Sequence, residues 1–104
     1  MSLVKAITPD RLQVSGVLDF NTVAEVRRQG EILIQSGPEA IEIDFSGVSR
    51  SGSPAVSVMM CWLRTARASD KQIRYTGVPD ILQNIIDVSG LRELLSLDYK
   101  SSNP

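Results

Sequence analysis

Apolar and polar positions alternate along the first part of the chain and then take on a helical period. Residues 3–7 and 11–17 read as strands, the second setting Leu12, Val14 and Gly16 against Arg11, Gln13 and Ser15. Thr8-Pro9-Asp10 between them has turn chemistry, so the chain should open with a hairpin. Val23, Val26, Leu33 and Ile34 mark a helix over residues 22–36. Thr22 and Glu25 stand at capping-box spacing at its start, and Gly37-Pro38 stops it. Ile41-Glu42-Ile43-Asp44-Phe45 fits a short central strand, and residues 72–76 fit another. A third helix opens at Pro79 with Ile81, Leu82, Ile85 and Ile86 on one face and ends at Ser89-Gly90. Leu91, Leu94, Leu95 and Leu97 carry the core into a short helix or strand. This order predicts an α/β fold: a mixed β-sheet, with an opening hairpin and then alternating strands and helices, and three to four helices packed on it.

The segment between the central strand and the second helix holds the candidate chemistry. Ser46-Gly47-Val48-Ser49-Arg50-Ser51-Gly52-Ser53 reads as a polar loop, and Ser53 before Pro54 reads as the N-cap of a helix over residues 54–68. In that helix Ala55, Val56, Met59, Met60, Trp62, Leu63 and Ala66 span an arc of about 160° at 100° per residue, a generous core face. Val58 and Cys61 fall outside the arc with Pro54 and Thr65, so apolar groups are expected on the surface, where a partner could cover them. Gly47, Gly52, the serines and Arg50 also have the composition of an anion-binding nest before a helix N-terminus. The Gly-Lys-Ser/Thr ending of a phosphate loop is missing, so nucleotide hydrolysis has no support.

Composition narrows the function. At 104 residues, with 42% apolar and 22% charged positions, the chain fits one domain over residues 1–100 with a disordered tail at 101–104. A net charge of −1 lacks the basic excess that displaces counterions from a polyanion, so no nucleic acid partner is expected. No apolar run approaches the ~20 residues of a bilayer span, and Met1-Ser2-Leu3-Val4-Lys5 does not begin a secretory leader, which points to the cytoplasm without direct membrane insertion. The chain has no histidine and one cysteine, Cys61. The usual general base, the orienter of Ser and Cys nucleophiles and the commonest metal ligand are therefore absent. No catalytic residue, metal or cofactor is expected.

The run from Ile43 to Val56 resembles the signature of STAS domains, which reads hydrophobic-Asp-hydrophobic-Ser-x-Val-x-x-hydrophobic-Asp-Ser/Thr-small-Gly-Leu. Ser15-Gly16-Val17-Leu18-Asp19 resembles the family's Gly-x-Leu-Asp before the first helix, and Gly77-Val78-Pro79 through Ser89-Gly90-Leu91 resembles its late strand-helix-turn. Ser53 falls where antagonists of this family present a Ser or Thr to a kinase. Ser51, Gly52 and Ala55 depart from the pattern, replacing a hydrophobic residue, the Asp before the phosphoacceptor and a Gly.

Without the complete Asp-Ser-Ser-Gly core, the chain looks most like the MlaB-type subunit of phospholipid-transport ABC systems. That resemblance implies a non-catalytic module that binds the transporter's cytoplasmic ATPase subunit, peripheral at the inner membrane through that partner, in a system serving outer-membrane lipid asymmetry. The competing implication is an anti-sigma factor antagonist controlled by phosphorylation of Ser53, with an anti-sigma factor kinase as partner. Either way the implied contact residues are Arg27, Arg50, Ser51, Gly52, Ser53, Pro54, Ser57, Val58 and Cys61.

Overall fold

The computed structural model describes residues 3–95, so the expectations for Leu97 and for the tail at 101–104 lie outside the described residues. In chain order it contains β1(Val4–Thr8), β2(Arg11–Leu18), α1(Val23–Ser36), β3(Ala40–Ser51), α2(Ser53–Ala68), β4(Gln72–Thr76), α3(Asp80–Val88) and α4(Arg92–Leu95). Among the described residues the strands form one sheet in sequence order, β1 antiparallel to β2, then β2, β3 and β4 parallel. This is the α/β mixed sheet that the pattern predicts, and the segment after Leu91 resolves as a helix.

The period of two decides which sheet face is buried. Leu12 pairs with Ile43, Ile43 with Tyr75 and Ile41 with Ile73, so rows of apolar side chains cross the sheet beneath the helices. The alternate positions place Arg11, Glu42 and Arg74 side by side on the other face. There Arg11 Nη1 donates to Glu42 Oε2 at 2.7 Å and Arg74 Nη2 donates to Glu42 Oε1 at 3.2 Å. Trp62 of α2 is fully buried, meets Phe45 edge-on at 6.2 Å and donates its indole N–H to the Arg27 carbonyl of α1 at 3.0 Å. The Tyr75 hydroxyl donates to the Met59 carbonyl at 2.7 Å, tying β4 to α2. Trp62 and Met59 are thus core residues, as their helical spacing implies.

Helix ends fix the connections. After α2 the backbone turns through Asp70 at φ 57°, with Lys71 N–H donating to the Ala66 carbonyl at 2.7 Å and Asp70 N–H to the Arg67 carbonyl at 3.2 Å, a Schellman closure. The Lys71 ammonium then reaches across to the end of α1, donating to the carbonyls of Ile34 and Gln35 at 2.7 Å and of Gly37 at 2.6 Å. The last carbonyls of a helix have no partner within it, and Lys71 serves them here, sharing the Ile34 carbonyl with the Gly37 N–H.

Three local expectations are corrected. Residues 46–51 are strand, not loop: β3 continues beside β2, with Ser15 paired to Gly47, Gly16 to Val48, Val17 to Arg50 and Leu18 to Ser51 across two register shifts. Thr22 does not form a capping box. Its hydroxyl turns back to donate to the Val17 carbonyl at 2.8 Å and accepts the Asp19 N–H at 3.0 Å, while Glu25 pairs with Arg28 and Gln29. Ile81 sits in the first turn of α3 and is 68% exposed, whereas Leu82 and Ile86 take the core.

Asp44 is the buried carboxylate among the described residues. Burial pushes its pKa up. The Ser46 N–H at 2.8 Å, the Ser46 hydroxyl at 3.0 Å and Arg11 Nη2 at 3.1 Å outweigh burial and hold it below the usual carboxylate range. A lowered folded-state pKa contributes stability above the unfolded value of about 4, and the contribution is lost as pH falls through the folded value. Asp44→Asn should therefore lower the melting temperature at pH 7, with the deficit shrinking below about pH 4. A deficit that stays constant down to pH 2 in thermal melts would show that the charge is not the cause.

Candidate functional site

The C-terminal ends of β2 and β3 and the N-terminus of α2 converge on one tip. Gly52 is extended and precedes the helix, the Gly52 carbonyl accepts the Ala55 N–H at 2.9 Å, and Ser53 is the first residue of α2. The expectation that Ser53 caps the helix is corrected: no side chain caps α2, because Gly52 holds the capping position and has none. The Ser53 hydroxyl is exposed and makes no hydrogen bond to the described residues, so it faces outward at a helix N-terminus. Residues 46–51 pair with β2 as strand, so the loop that the anion-nest expectation assumed before the helix is not there.

A shallow cleft lies on each side of this tip. The first, about 290 Å³, is a groove between α1 and α2. Phe20, Val23, Ala24 and Arg27 form one wall, and Pro54, Ser57, Val58 and Cys61 form the other. The second, about 350 Å³, lies between residues 48–51 of β3 and the start of α3, lined by Pro79, Asp80 and Ile81.

Residues singled out from sequence are thus distributed across one end of the molecule. Arg27, Pro54, Ser57, Val58 and Cys61 meet in the helical groove, Arg50 and Ser51 line the second cleft, and Gly52 and Ser53 stand between. Val58 is corrected in its exposure: at 2% it is the floor of the groove rather than a projecting contact, because α2 packs against α1 as well as the sheet. Phe20, Val23 and Ala24 were not anticipated. Phe20 is 85% exposed in the turn after β2. Its sequence signal is an aromatic residue between the turn formers Asp19 and Asn21, followed by Val23 and Ala24 at helical spacing.

The chemistry available here is recognition. Among the described residues no group of three or more His, Cys, Asp or Glu gathers as a metal site, and no helix is long and apolar enough to cross a membrane. In another polar cleft, about 450 Å³ and lined by Thr8, Asp10, Arg11, Glu42 and Arg74, Glu42 pairs with both arginines and Asp10 accepts the Thr8 hydroxyl.

A helix tip bearing a free hydroxyl, set on a four-stranded mixed sheet, defines an α/β fold of STAS type. The chain belongs to this family: the family model described as "Mlab, STAS domain" matches residues 1–96. Among curated proteins it is similar to the anti-sigma-B factor antagonists of Staphylococcus epidermidis and of Staphylococcus aureus strain NCTC 8325. Each is 24% identical over 98 residues, covering 91% of both chains. Among solved structures it is similar to an anti-sigma factor antagonist from Mycobacterium paratuberculosis, with TM-score 0.74, 20% identity, and coverage of 97% of this chain and 86% of that one. It is also similar to the anti-sigma factor antagonist SpoIIAA in its unphosphorylated form, with TM-score 0.62, 17% identity, and coverage of 81% and 79%.

Proposed function

We propose that this protein is a cytoplasmic, non-catalytic binding module of the anti-sigma factor antagonist kind. Its Ser53 tip and α1–α2 groove dock on a partner protein, an anti-sigma factor kinase, and phosphorylation of Ser53 releases it. The observation that carries this reading is the outward, unbonded Ser53 hydroxyl beside an apolar groove, in a chain similar to anti-sigma-B factor antagonists. A phosphoryl group adds close to two negative charges. At the first position of a 16-residue helix the macrodipole favours that charge, so the fold keeps its shape while the docking surface changes.

Ser53→Glu should leave the melting temperature unchanged or raise stability by roughly 0.3–1 kcal/mol, yet weaken kinase binding by about tenfold or more. The direct test is incubation with the candidate kinase and ATP, followed by intact mass. An increment of about 80 Da, absent in Ser53→Ala, supports the switch. No increment under any condition in which the kinase modifies a control substrate rejects it.

A second reading is favoured by the MlaB description of the matching family model and by Gly52, which stands where the antagonist pattern has Asp. Here the same surface docks on the cytoplasmic ATPase subunit of a phospholipid-transport ABC system at the inner membrane, with no phosphorylation. Co-purification of such an ATPase with the wild-type chain and its loss with Ala24→Arg, together with an unmodified Ser53, would select this reading.

A further inference from the structure

We infer that Asp44 is a positioning residue: its carboxylate holds a bulge in β3, and that bulge decides where the Ser53 tip stands. This rests on the reading of Ser53 as the contact point and adds the residue that places it. From the Gln13–Asp44 pair to the Leu18–Ser51 pair, β2 advances five residues while β3 advances seven. The two extra residues of β3 enter one at each register shift. At the first, Phe45 and Ser46 together stand opposite Val14, and the second falls between Val48 and Arg50. Bulges are rare between parallel strands and gather beside functional sites, where they re-aim side chains.

Other features converge on the first shift. The pairing of β3 with β4 ends there, at Asp44 opposite Thr76, so among the described residues β3 continues with β2 as its one strand neighbour. Asp44 Oδ1 accepts the Ser46 N–H at 2.8 Å and Oδ2 accepts the Ser46 hydroxyl at 3.0 Å, which engages both donors of the bulged residue. Arg11 of β2 donates from Nη2 to the same Oδ2 at 3.1 Å, and Gly77 approaches Oδ1 with no side chain to obstruct it. Gly47 then brings β3 back against β2: a Cβ there would stand 3.0 Å from the Ser15 Cβ and 3.1 Å from the Val14 carbonyl oxygen.

Because side chains alternate along a strand, each extra residue reverses the faces beyond it. Ile41, Ile43 and Phe45 are buried at every second position, and the next buried residue is Val48 rather than Gly47. The second extra residue reverses the faces again and leaves Arg50 exposed at the cleft beside α3. Without the first bulge the strand beyond Asp44 would slip by one residue, about 3.3 Å. Gly47 would then take the core place that Val48 fills, and the tip would be offset from the Phe20 wall that β2 leads into. Asp44 stands nine residues before Ser53, so it acts on the tip through the strand.

The test reads the pairing of β2 with β3 from cross-strand nuclear Overhauser contacts in the full-length protein. The wild type should pair Ser15 with Gly47 and Gly16 with Val48. In Asp44→Ala these contacts should move by one residue or vanish, while those of Leu12 with Ile43 and of Ile43 with Tyr75 stay. Protected amide hydrogens within residues 47–51 should also exchange about tenfold faster relative to those of Ile43 and Tyr75. Asp44→Asn, whose amide oxygen still accepts the Ser46 N–H, should keep the wild-type pairing even with a lower melting temperature. If Asp44→Ala does not fold, Ser46→Ala, which loses the hydroxyl bond alone, should raise the same relative exchange about threefold. A lower melting temperature with every contact and every relative exchange rate unchanged overturns the inference and leaves docking at Ser53 standing. Altered pairing with undiminished binding of the kinase supports the positioning role and overturns the docking role instead.

Discussion

Replacing Gly30 by alanine is expected to destabilise the fold by about 2–3 kcal/mol, although alanine is the better helix former by about 1 kcal/mol. Gly30 lies in the interior of α1, where propensity alone predicts a gain. A Cβ there would stand 2.3 Å from two ring carbons of Trp62 and 2.5 Å from its indole nitrogen. That ring cannot swing aside, because it is fully buried, meets Phe45 edge-on and donates its N–H to the carbonyl of Arg27, one turn before Gly30 on the same helix. The two helices must separate or the indole must leave its rotamer. For a domain of this size the melting temperature should fall by roughly 10 °C or more. Trp62→Phe in the Gly30→Ala background should recover part of the loss, since the smaller ring relieves the overlap. A rise in the melting temperature of Gly30→Ala would show that the close approach of α1 and α2 is wrong, and the groove between them with it.

The second large effect is expected at Gly77, where alanine should cost roughly 2–4 kcal/mol from two sources. Its backbone is left-handed, at φ +63°, a region that carries a penalty of about 1–2 kcal/mol for a side chain with Cβ. The added Cβ would also stand 2.6 Å from Asp44 Oδ1 and 3.0 Å from the Ser46 nitrogen, wedging apart the hydrogen bond between them. A double-mutant cycle separates the two. Asp44→Ala should make Gly77→Ala cheaper by removing the obstructed carboxylate while leaving the backbone penalty. Additive losses in urea unfolding would assign the whole effect to the backbone.

Elements whose burial follows one period were legible in the sequence, and those governed by two neighbours were not. Strand β4 and the opening hairpin appear within a residue or so of their expected places because Ile73 and Tyr75, or Leu12 and Val14, bury alternate side chains on one face. The far half of β3 was hidden because Ser46, Gly47, Ser49, Arg50 and Ser51 look like loop chemistry. Strand pairing needs only their backbone groups, which β2 supplies, and Val48 alone keeps the buried alternation. Val58 was misjudged for a related reason. A single arc describes a helix resting on one surface, but α2 is packed by the sheet on one side and α1 on the other. At the site, the Ser53 region was legible through its motif. The opposite wall was not, since Phe20, Val23 and Ala24 are thirty or more residues away and come beside α2 through the packing of the two helices, where Trp62 lies against Gly30.

The reach of Lys71 across to the end of α1 has a practical consequence for measuring any of these interactions. The chain contains three lysines, Lys5, Lys71 and Lys100. At Lys71 every ammonium hydrogen is already donated to a carbonyl, so an acylating dye must break three bonds before it can react there. Lys5 stands in the open on the edge strand β1, which β2 separates from β3 and the serine tip. A fluorophore delivered through amine chemistry would settle on such positions and report on complex formation without obstructing it.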